Sequence, residues 1–304
     1  MDLVVKSPRI PAIGETVLGG DFIMTPGGKG ANQAVAAAKL AAQVFFIAKL
    51  GDDIFGTKSL ANLKKEGVNT KYVVQTNEAP SGVALIMVDE KGNNSIVVAP
   101  GANQKLQPED VRKAQSDIAS CGAVVAQLEV PPASVESAAK LANGCKVPFI
   151  LDPAPAQKLS VELLKMVDVL TPNETEAQIL TDIAVTDEDS AHTAAKNLLD
   201  SGVKAVILTM GAKGFLLAAE NQTEFVPAIK VEAVDSTAAG DAFTGALAVA
   251  LAQGQDLFEA ALFANQVAAL SVTKMGAQSS MPTKQQVESF VRREPIQGKS
   301  NASA

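Results

Sequence analysis

The stretch with the clearest chemical content is Asp235-Ser236-Thr237-Ala238-Ala239-Gly240-Asp241. A run of small residues ends in an aspartate, and the Ala-rich apolar segment that follows reads as a helix up to about Gln253. Small residues at a helix N-terminus leave backbone N–H groups free at the positive end of the dipole. The amides of Ala238, Ala239 and Gly240 would then form an anion hole, and phosphate is the usual guest of such a hole. Asp241 falls in the first turn beside it. Two readings stand. Asp241 takes the proton from an attacking hydroxyl while the amides hold charge on a phosphate, or it is a helix-start acid favoured by the dipole.

Other candidate residues carry a bland reading beside the chemical one. Gly27-Gly28-Lys29-Gly30 is not a P-loop, because the upstream glycine spacing fails and no Ser or Thr follows Lys29; it is not a dinucleotide fingerprint either. A permissive loop with one cation, Lys29, and one amide, Asn32, suits a polyhydroxylated small ligand, and it also suits a hinge. Asn173-Glu174-Thr175-Glu176 offers an amide and a hard carboxylate at a helix start, which suits Mg²⁺ keeping several waters; the same spacing is a capping box. In Thr209-Met210-Gly211-Ala212-Lys213-Gly214 two glycines let the backbone approach a ligand, or simply turn a strand into a hairpin. Glu129, Asp152, Asn173, Glu176, Thr209 and Gly211 each follow an apolar run, on the strand ends where open α/β sheets bind ligands.

These residues need a scaffold. From about Pro108 to Met210 helices and strands alternate: helices over 108–118, 132–141, 161–166, 174–180 and 189–200, and strands over 123–128, 147–151, 167–171 and 205–210. This predicts right-handed crossovers and a parallel sheet covered on both faces. Helices are also predicted over 29–40, 55–65, 257–273 and 284–292, a hairpin over 213–226, and a buried parallel strand over 44–50. Strands over 3–6, 16–23, 81–88 and 94–99 would make a small sheet apart from the core, with Val83, Leu85, Met87 and Val97 as one-sided hydrophobics needing a partner surface.

Composition narrows the class. The chain has 304 residues, 47% hydrophobic, with a formal net charge of −7. No Lys/Arg-rich run occurs, which argues against nucleic acid or an anionic membrane as the main partner. No apolar run is long enough to span a bilayer, and Met1-Asp2 leads directly into Leu-Val-Val, so a cytoplasmic protein is expected. Cys121 and Cys145 are isolated and read as reduced core thiols. His192, the single histidine, lies in a polar helical stretch, so Ser/His/Asp hydrolysis and histidine metal sites are poor candidates.

Asp235–Asp241 resembles the C-terminal signature of the PfkB-type (ribokinase) sugar kinase family, Asp-Thr-x-Gly-Ala-Gly-Asp, departing at Ser236 and Ala238. Gly27-Gly28-Lys29-Gly30-Ala31-Asn32-Gln33-Ala34 is a second match. The resemblance implies an α/β fold, a ribokinase-like three-layer sandwich with a central, mostly parallel sheet and a small β-sheet lid (about 3–26 and 81–100) on a single domain spanning 1–293, followed by a polar tail over 294–304. It implies ATP-dependent phosphorylation of D-ribose at O5, with Asp241 as base and Ala238, Ala239 and Gly240 as anion hole. By the same resemblance Asp2, Gly28, Lys29, Asn32, Glu129 and Asp241 contact the sugar. Asn173, Thr209, Gly211, Gly214, Ala239, Gly240 and Asn265 contact ATP, and Asn173 and Glu176 hold Mg²⁺ largely through water. Asp235, Thr237, Ser271, Lys274, Gly276 and Ser280 would hold K⁺, and a homodimer would form through the lid. Where the family has glycine, Ala238 adds a methyl group, so the backbone there is expected to avoid positive φ. The family also carries a full strand ending Gly-Ser-x-Asn before the ribose aspartate, and here Asp2 is the second residue. That first core strand, with its asparagine, is therefore expected to be missing upstream of Asp2, through a truncated sequence or an unfilled slot in the sheet. Another PfkB-type kinase (for fructose, a nucleoside or a sugar acid), or a non-catalytic sugar- or nucleotide-binding homologue, are the alternatives.

Overall fold

The structure is a computed structural model, describing residues 1–220 and 222–293. The predicted polar tail over 294–304 lies outside the described residues. In chain order the elements are β1 (Asp2–Lys6), β2 (Phe22–Thr25), α1 (Lys29–Lys39), β3 (Phe45–Gly51), α2 (Ile54–Lys65), β4 (Asn69–Thr76), β5 (Val83–Val88), β6 (Asn94–Ala99), α3 (Pro108–Arg112), α4 (Gln115–Ile118), β7 (Val124–Ala126), α5 (Pro132–Gly144), β8 (Phe149–Leu151), α6 (Val161–Leu164), β9 (Val169–Leu170), α7 (Glu174–Thr181), α8 (Glu188–Asp200), β10 (Ala205–Thr209), β11 (Gly214–Ala219), β12 (Gln222–Pro227), α9 (Ala239–Ala252), α10 (Leu257–Ser271) and α11 (Lys284–Arg293).

The main sheet runs β12-β11-β10-β9-β8-β7, parallel from β10 to β7 and antiparallel at the β11 and β12 end. Period-two alternation sends its side chains into two cores. Ile150, Val169, Ile207, Phe215 and Leu217 meet α1, α9 and α10 on one face. Phe149, Leu151, Leu170, Leu208 and Leu216 meet α5, α7 and α8 on the other. This is a three-layer sandwich, and the continuous apolar strands follow from burial on both faces.

The strand over 44–50 exists as β3, paired in parallel with β4. It is only half-buried before Gly51, where full burial is predicted. No ladder joins β3 to β7 among the described residues, and β7 is half-buried too, whereas its neighbour β8 is fully buried. Val124 nevertheless packs with Phe45 and Ile47 around a third small core. The predicted helix over 108–118 is two short helices separated at Lys113-Ala114.

The lid sheet has the order β2-β1-β5-β6. Its second strand is Phe22–Thr25 rather than 16–23. Gly19 and Gly20 explain the shift. Gly19 abuts the Lys6 carbonyl, where a Cβ would stand 2.9 Å away, and Gly20 N–H donates to that carbonyl. The residues before them leave the ladder, with Leu18 in solvent. The lid hydrophobics are not confined to one side either, since Ile96, Val97 and Val98 are consecutive and all exposed.

Candidate active site

Helix α9 brings Asp241 into the protein, in its first turn and only 5% exposed. Helix α1 lies against it. Gly245 makes this approach possible, because a methyl group there would meet the Gln33 carbonyl oxygen at 2.7 Å and the Ala36 Cβ at 2.9 Å. The close packing sets two successive α1 amides on the carboxylate. Asn32 Nδ2 donates to Asp241 Oδ2 at 2.8 Å, and Gln33 Nε2 donates to Oδ1 at 3.1 Å.

The turn before α9 departs from expectation. Ala238 takes φ 60°, ψ 19°, in the left-handed region it was expected to avoid. The chain must reverse between Thr237 and the helix so that the first-turn amides face one side, and that geometry outweighs a cost of about 1 kcal/mol for a Cβ there. The Gly240 and Asp241 N–H groups lie in the first turn, where no preceding helical carbonyl is available to them. The Ala239 N–H instead turns back to the Ser236 carbonyl at 3.2 Å.

The loop before α1 completes one wall. Gly28 caps the helix at φ 94°, and Gly27 is pressed against Asp2, whose carboxylate leaves no room for a Cβ. The Lys29 N–H donates to Glu129 Oε2 at 3.0 Å. Asp2, Gly28, Lys29, Asn32, Glu129 and Asp241 thus come together. Asp2 begins β1, so one member of this group sits on the lid.

Carboxyl groups outnumber ammonium groups here. Burial alone would pull the Lys29 ammonium down, yet the carboxyl groups of Asp152, Asp241, Glu176 and Glu129 together raise it. Burial raises Asp241, opposed by Lys29 and the two amides. It also raises Glu129 against the Lys29 N–H bond, and Asp2, to which Asp241 adds. Burial pushes Asp152 up to about 8, against the pull of Lys29. Asp152 Oδ2 accepts from Gln33 Nε2 at 2.7 Å, so Gln33 bridges two carboxyl groups.

The second wall follows β9 and β10. Asn173 and Glu176 form the capping box: Asn173 Oδ1 accepts from Glu176 N–H at 2.9 Å, and Glu176 Oε2 accepts from Asn173 N–H at 2.8 Å. Burial raises Glu176, and Lys29 and Asp241 act on it electrostatically, so this capping residue stands in the same acidic cluster. Asn173 bridges Thr209. Gly211 has φ 53° and open space at its Cβ position; Gly214 has φ 123° and packs on the Val226 carbonyl. Asn265 Nδ2 donates to the Pro227 carbonyl at 3.3 Å.

Asp235 ties two loops together, accepting from Thr237 N–H at 2.9 Å and Gly276 N–H at 2.8 Å. Its N–H and that of Val234 both bond the Val272 carbonyl. Burial would raise the Asp235 carboxyl, but these bonds hold it below the usual value. The stretches containing Asp235, Thr237, Ser271, Lys274, Gly276 and Ser280 are thereby brought side by side. Among the described residues no group of three or more His, Cys, Asp or Glu side chains could hold a metal. Cys121 and Cys145 are free thiols and half-buried, and His192 lies partly exposed beside Glu188.

Sequence reasoning assigned no role to Gln33, Gln127 or Gln278 and named Asp152 only as a strand-end residue. Gln33 carried a signal, as the neighbour of Asn32 on the α1 face that meets Asp241.

The pattern of the pfkB family carbohydrate kinases matches residues 1–284. The chain belongs to this family. The ribokinase of Bacillus subtilis is 45% identical over 291 residues, covering 96% of each chain. The deoxyribokinase of Salmonella typhimurium is 41% identical over 292 residues, covering 96% of this chain and 95% of that one. The ribokinase of Arabidopsis thaliana, solved with ribose and ATP, superposes with a TM-score of 0.90 at 34% identity, covering 96% of this chain and 95% of that one. The chain therefore has the ribokinase-like fold and is a carbohydrate kinase of ribokinase type.

Proposed function

We propose that this enzyme transfers the γ-phosphoryl group of ATP to O5 of D-ribose, giving ADP and D-ribose 5-phosphate. The observation that carries the reading is Asp241, buried, held by two amides and set in the first turn of α9, where the helix has no carbonyl to offer its leading N–H groups. The 5-hydroxyl gives its proton to Asp241 as the O5–Pγ bond forms and the bond from Pγ to the leaving ADP oxygen breaks. The first-turn amides, with the Ala239 N–H released from Ser236, stabilise charge on the phosphoryl oxygens. Asp2, Gly28, Lys29, Asn32 and Glu129 orient the sugar, and Lys29 offsets the carboxyl groups around it.

Thr209, Gly211 and Asn265 line the nucleotide side, and Asn173 and Glu176 would hold Mg²⁺ through water. The surplus of buried carboxyl groups over one ammonium favours a divalent cation here, and bound Mg²⁺ neutralises phosphate charge. Asp235, with the carbonyl-rich loops it ties together, suits a monovalent cation, K⁺. The lid closes over the sugar and excludes water. Its exposed apolar strands suit a second copy of the chain, giving a dimer. Among the described residues no helix is long and apolar enough to cross a membrane, and a cytoplasmic location fits this substrate pair.

The Gly27–Gln33 motif and the ribokinase relatives favour ribose. The deoxyribokinase relative supports a second reading, in which the 2-hydroxyl is not required. Coupled ADP release with ATP and Mg²⁺, comparing D-ribose, 2-deoxy-D-ribose and D-fructose in K⁺ and then Na⁺ buffer, separates them. Highest kcat/KM with ribose, raised by K⁺ and yielding the 5-phosphate, is expected. Preference for deoxyribose, or no sugar-dependent ADP release, overturns the ribose assignment.

A further inference from the structure

Each oxygen of Asp241 lies at the end of a line of side-chain amides. On one line Asn62 Nδ2 donates to Gln278 Oε1 at 2.7 Å, Gln278 Nε2 to Asn32 Oδ1 at 3.1 Å, and Asn32 Nδ2 to Asp241 Oδ2 at 2.8 Å. On the other, Gln127 Nε2 donates to Gln33 Oε1, and Gln33 Nε2 to Asp241 Oδ1 and Asp152 Oδ2. Asn32, Gln33 and Gln278 are all at least nine-tenths buried, so water does not compete for these bonds. Lys39 Nζ pins Gln278 in place through its backbone carbonyl at 2.8 Å.

The direction of both lines follows from chemistry. An ionised carboxylate only accepts, so Asn32 and Gln33 must turn their NH₂ groups toward Asp241. Their oxygens then face outward and require donors. Gln278 and Gln127 supply them. In the first line Gln278 is left with an outward oxygen, which Asn62 satisfies. A side-chain amide left without such a partner could flip by half a turn and present its oxygen to Asp241, a repulsive contact at hydrogen-bond distance.

We propose that Gln278 and Gln127, with Asn62 behind Gln278, are positioning residues that lock the donor direction of Asn32 and Gln33 and so keep the Asp241 carboxylate ionised and aimed. None of the three touches Asp241. The inference rests on the reading of Asp241 as the catalytic base. The titratable groups facing Asp241 are Lys29 on α1, Asp2 on β1, Glu129 after β7, Asp152 after β8 and Glu176 on α7. All remain in the variants below; a Glu variant adds a carboxyl group of its own, which raises Asp241 by charge alone, so the charge-free report on the amide line is Gln278→Leu against the parent.

The test uses paired substitutions that separate polarity from packing. Gln278→Leu removes the outer partner and leaves Asn32 free. Gln278→Glu supplies an acceptor at pH 8, so Asn32 must turn its NH₂ toward residue 278 and its oxygen toward Asp241. A merely structural role predicts a loss of stability in Gln278→Leu with kcat and the Asp241 titration unchanged from the parent. The amide line predicts that kcat already falls in Gln278→Leu, and falls about tenfold or more further in Gln278→Glu, with KM for ATP little changed. The ¹³Cγ titration midpoint of Asp241 should likewise lie higher in Gln278→Glu than in Gln278→Leu, and higher in both than in the parent. A Gln278→Leu protein with the parent's kcat and Asp241 midpoint, or a milder effect of Glu, overturns the proposal. Should Gln278→Glu fail to fold, Gln127→Glu against Gln127→Leu tests the other line with the same predicted order. A parent enzyme without sugar-dependent turnover sinks the phosphotransfer reading alone, and the ¹³Cγ midpoints still decide whether the lines orient Asp241.

Discussion

Gly245→Ala should damage catalysis far more than stability. The new methyl group would stand 2.7 Å from the Gln33 carbonyl oxygen and 2.9 Å from the Ala36 Cβ. Comfortable carbon contacts need about 3.5–4.0 Å, so α1 and α9 must part by roughly 0.5–1 Å. Asn32 and Gln33 ride on α1, at 2.8 and 3.1 Å from Asp241. The same displacement moves their amides to about 3.3–4.1 Å, at or beyond the limit of a hydrogen bond. Overpacking costs about 1–3 kcal/mol, and the better helix propensity of alanine returns about 1 kcal/mol. A net loss of about 0–2 kcal/mol lowers Tm by only a few degrees in a chain of this size. Misplacement of a reacting group by about 1 Å costs on the order of 10²-fold in rate. The assay is ADP release at saturating ribose and ATP beside a thermal melt on the same sample. A folded Gly245→Ala protein with kcat within about threefold of the parent would refute the claim that this helix contact sets the base.

Three further predictions address other parts of the account. Asp152 binds more protons folded than unfolded between the usual carboxylate value and about 8, so stability falls as pH rises through that window. Asp152→Asn should therefore match the parent near pH 4 and gain about 1–3 kcal/mol above pH 8, read by denaturant titration at both pH values; equal differences at the two would remove the buried charge from the account. Lys29→Met leaves the surrounding carboxyl groups without their ammonium, and should raise KM for the sugar and move the acidic limb of the pH–rate profile upward; an unchanged limb would show that Lys29 does not tune the site. For the lid, Ile96→Asp with Val98→Asp should sediment as a monomer where the parent is a dimer, and a monomeric parent would reject the lid interface.

Much of the site was legible because its pieces are local. Asp241 at a helix start, Asn173 three residues before Glu176, and Lys29 and Asn32 after paired glycines can each be read within a single turn. The alternation from Pro108 to Met210 was strong because both faces of the sheet are buried, which leaves long apolar runs. What escaped depended on contacts distant in sequence. Gln127 meets Gln33, and Asn62 meets Gln278, only in the folded chain, across 94 and 216 residues of sequence. Residues 69–76, with polar Asn69, Thr70, Lys71 and Gln75, form the half-exposed strand β4, and their mixed pattern lacks the apolar run that marked β3. Ala238 adopts positive φ because the turn before α9 demands it, which no preference of the residue itself would indicate.

The central claim is that Asp241 is the base. Its most direct test is single-turnover phosphorylation of ribose by Asp241→Asn, with ribose and ATP affinities measured on the same protein. The account predicts a rate lower by about 10²–10⁴-fold for loss of a general base, with both substrates still bound. A rate within a few-fold of the parent would contradict it and leave Asp241 as a helix-start acid.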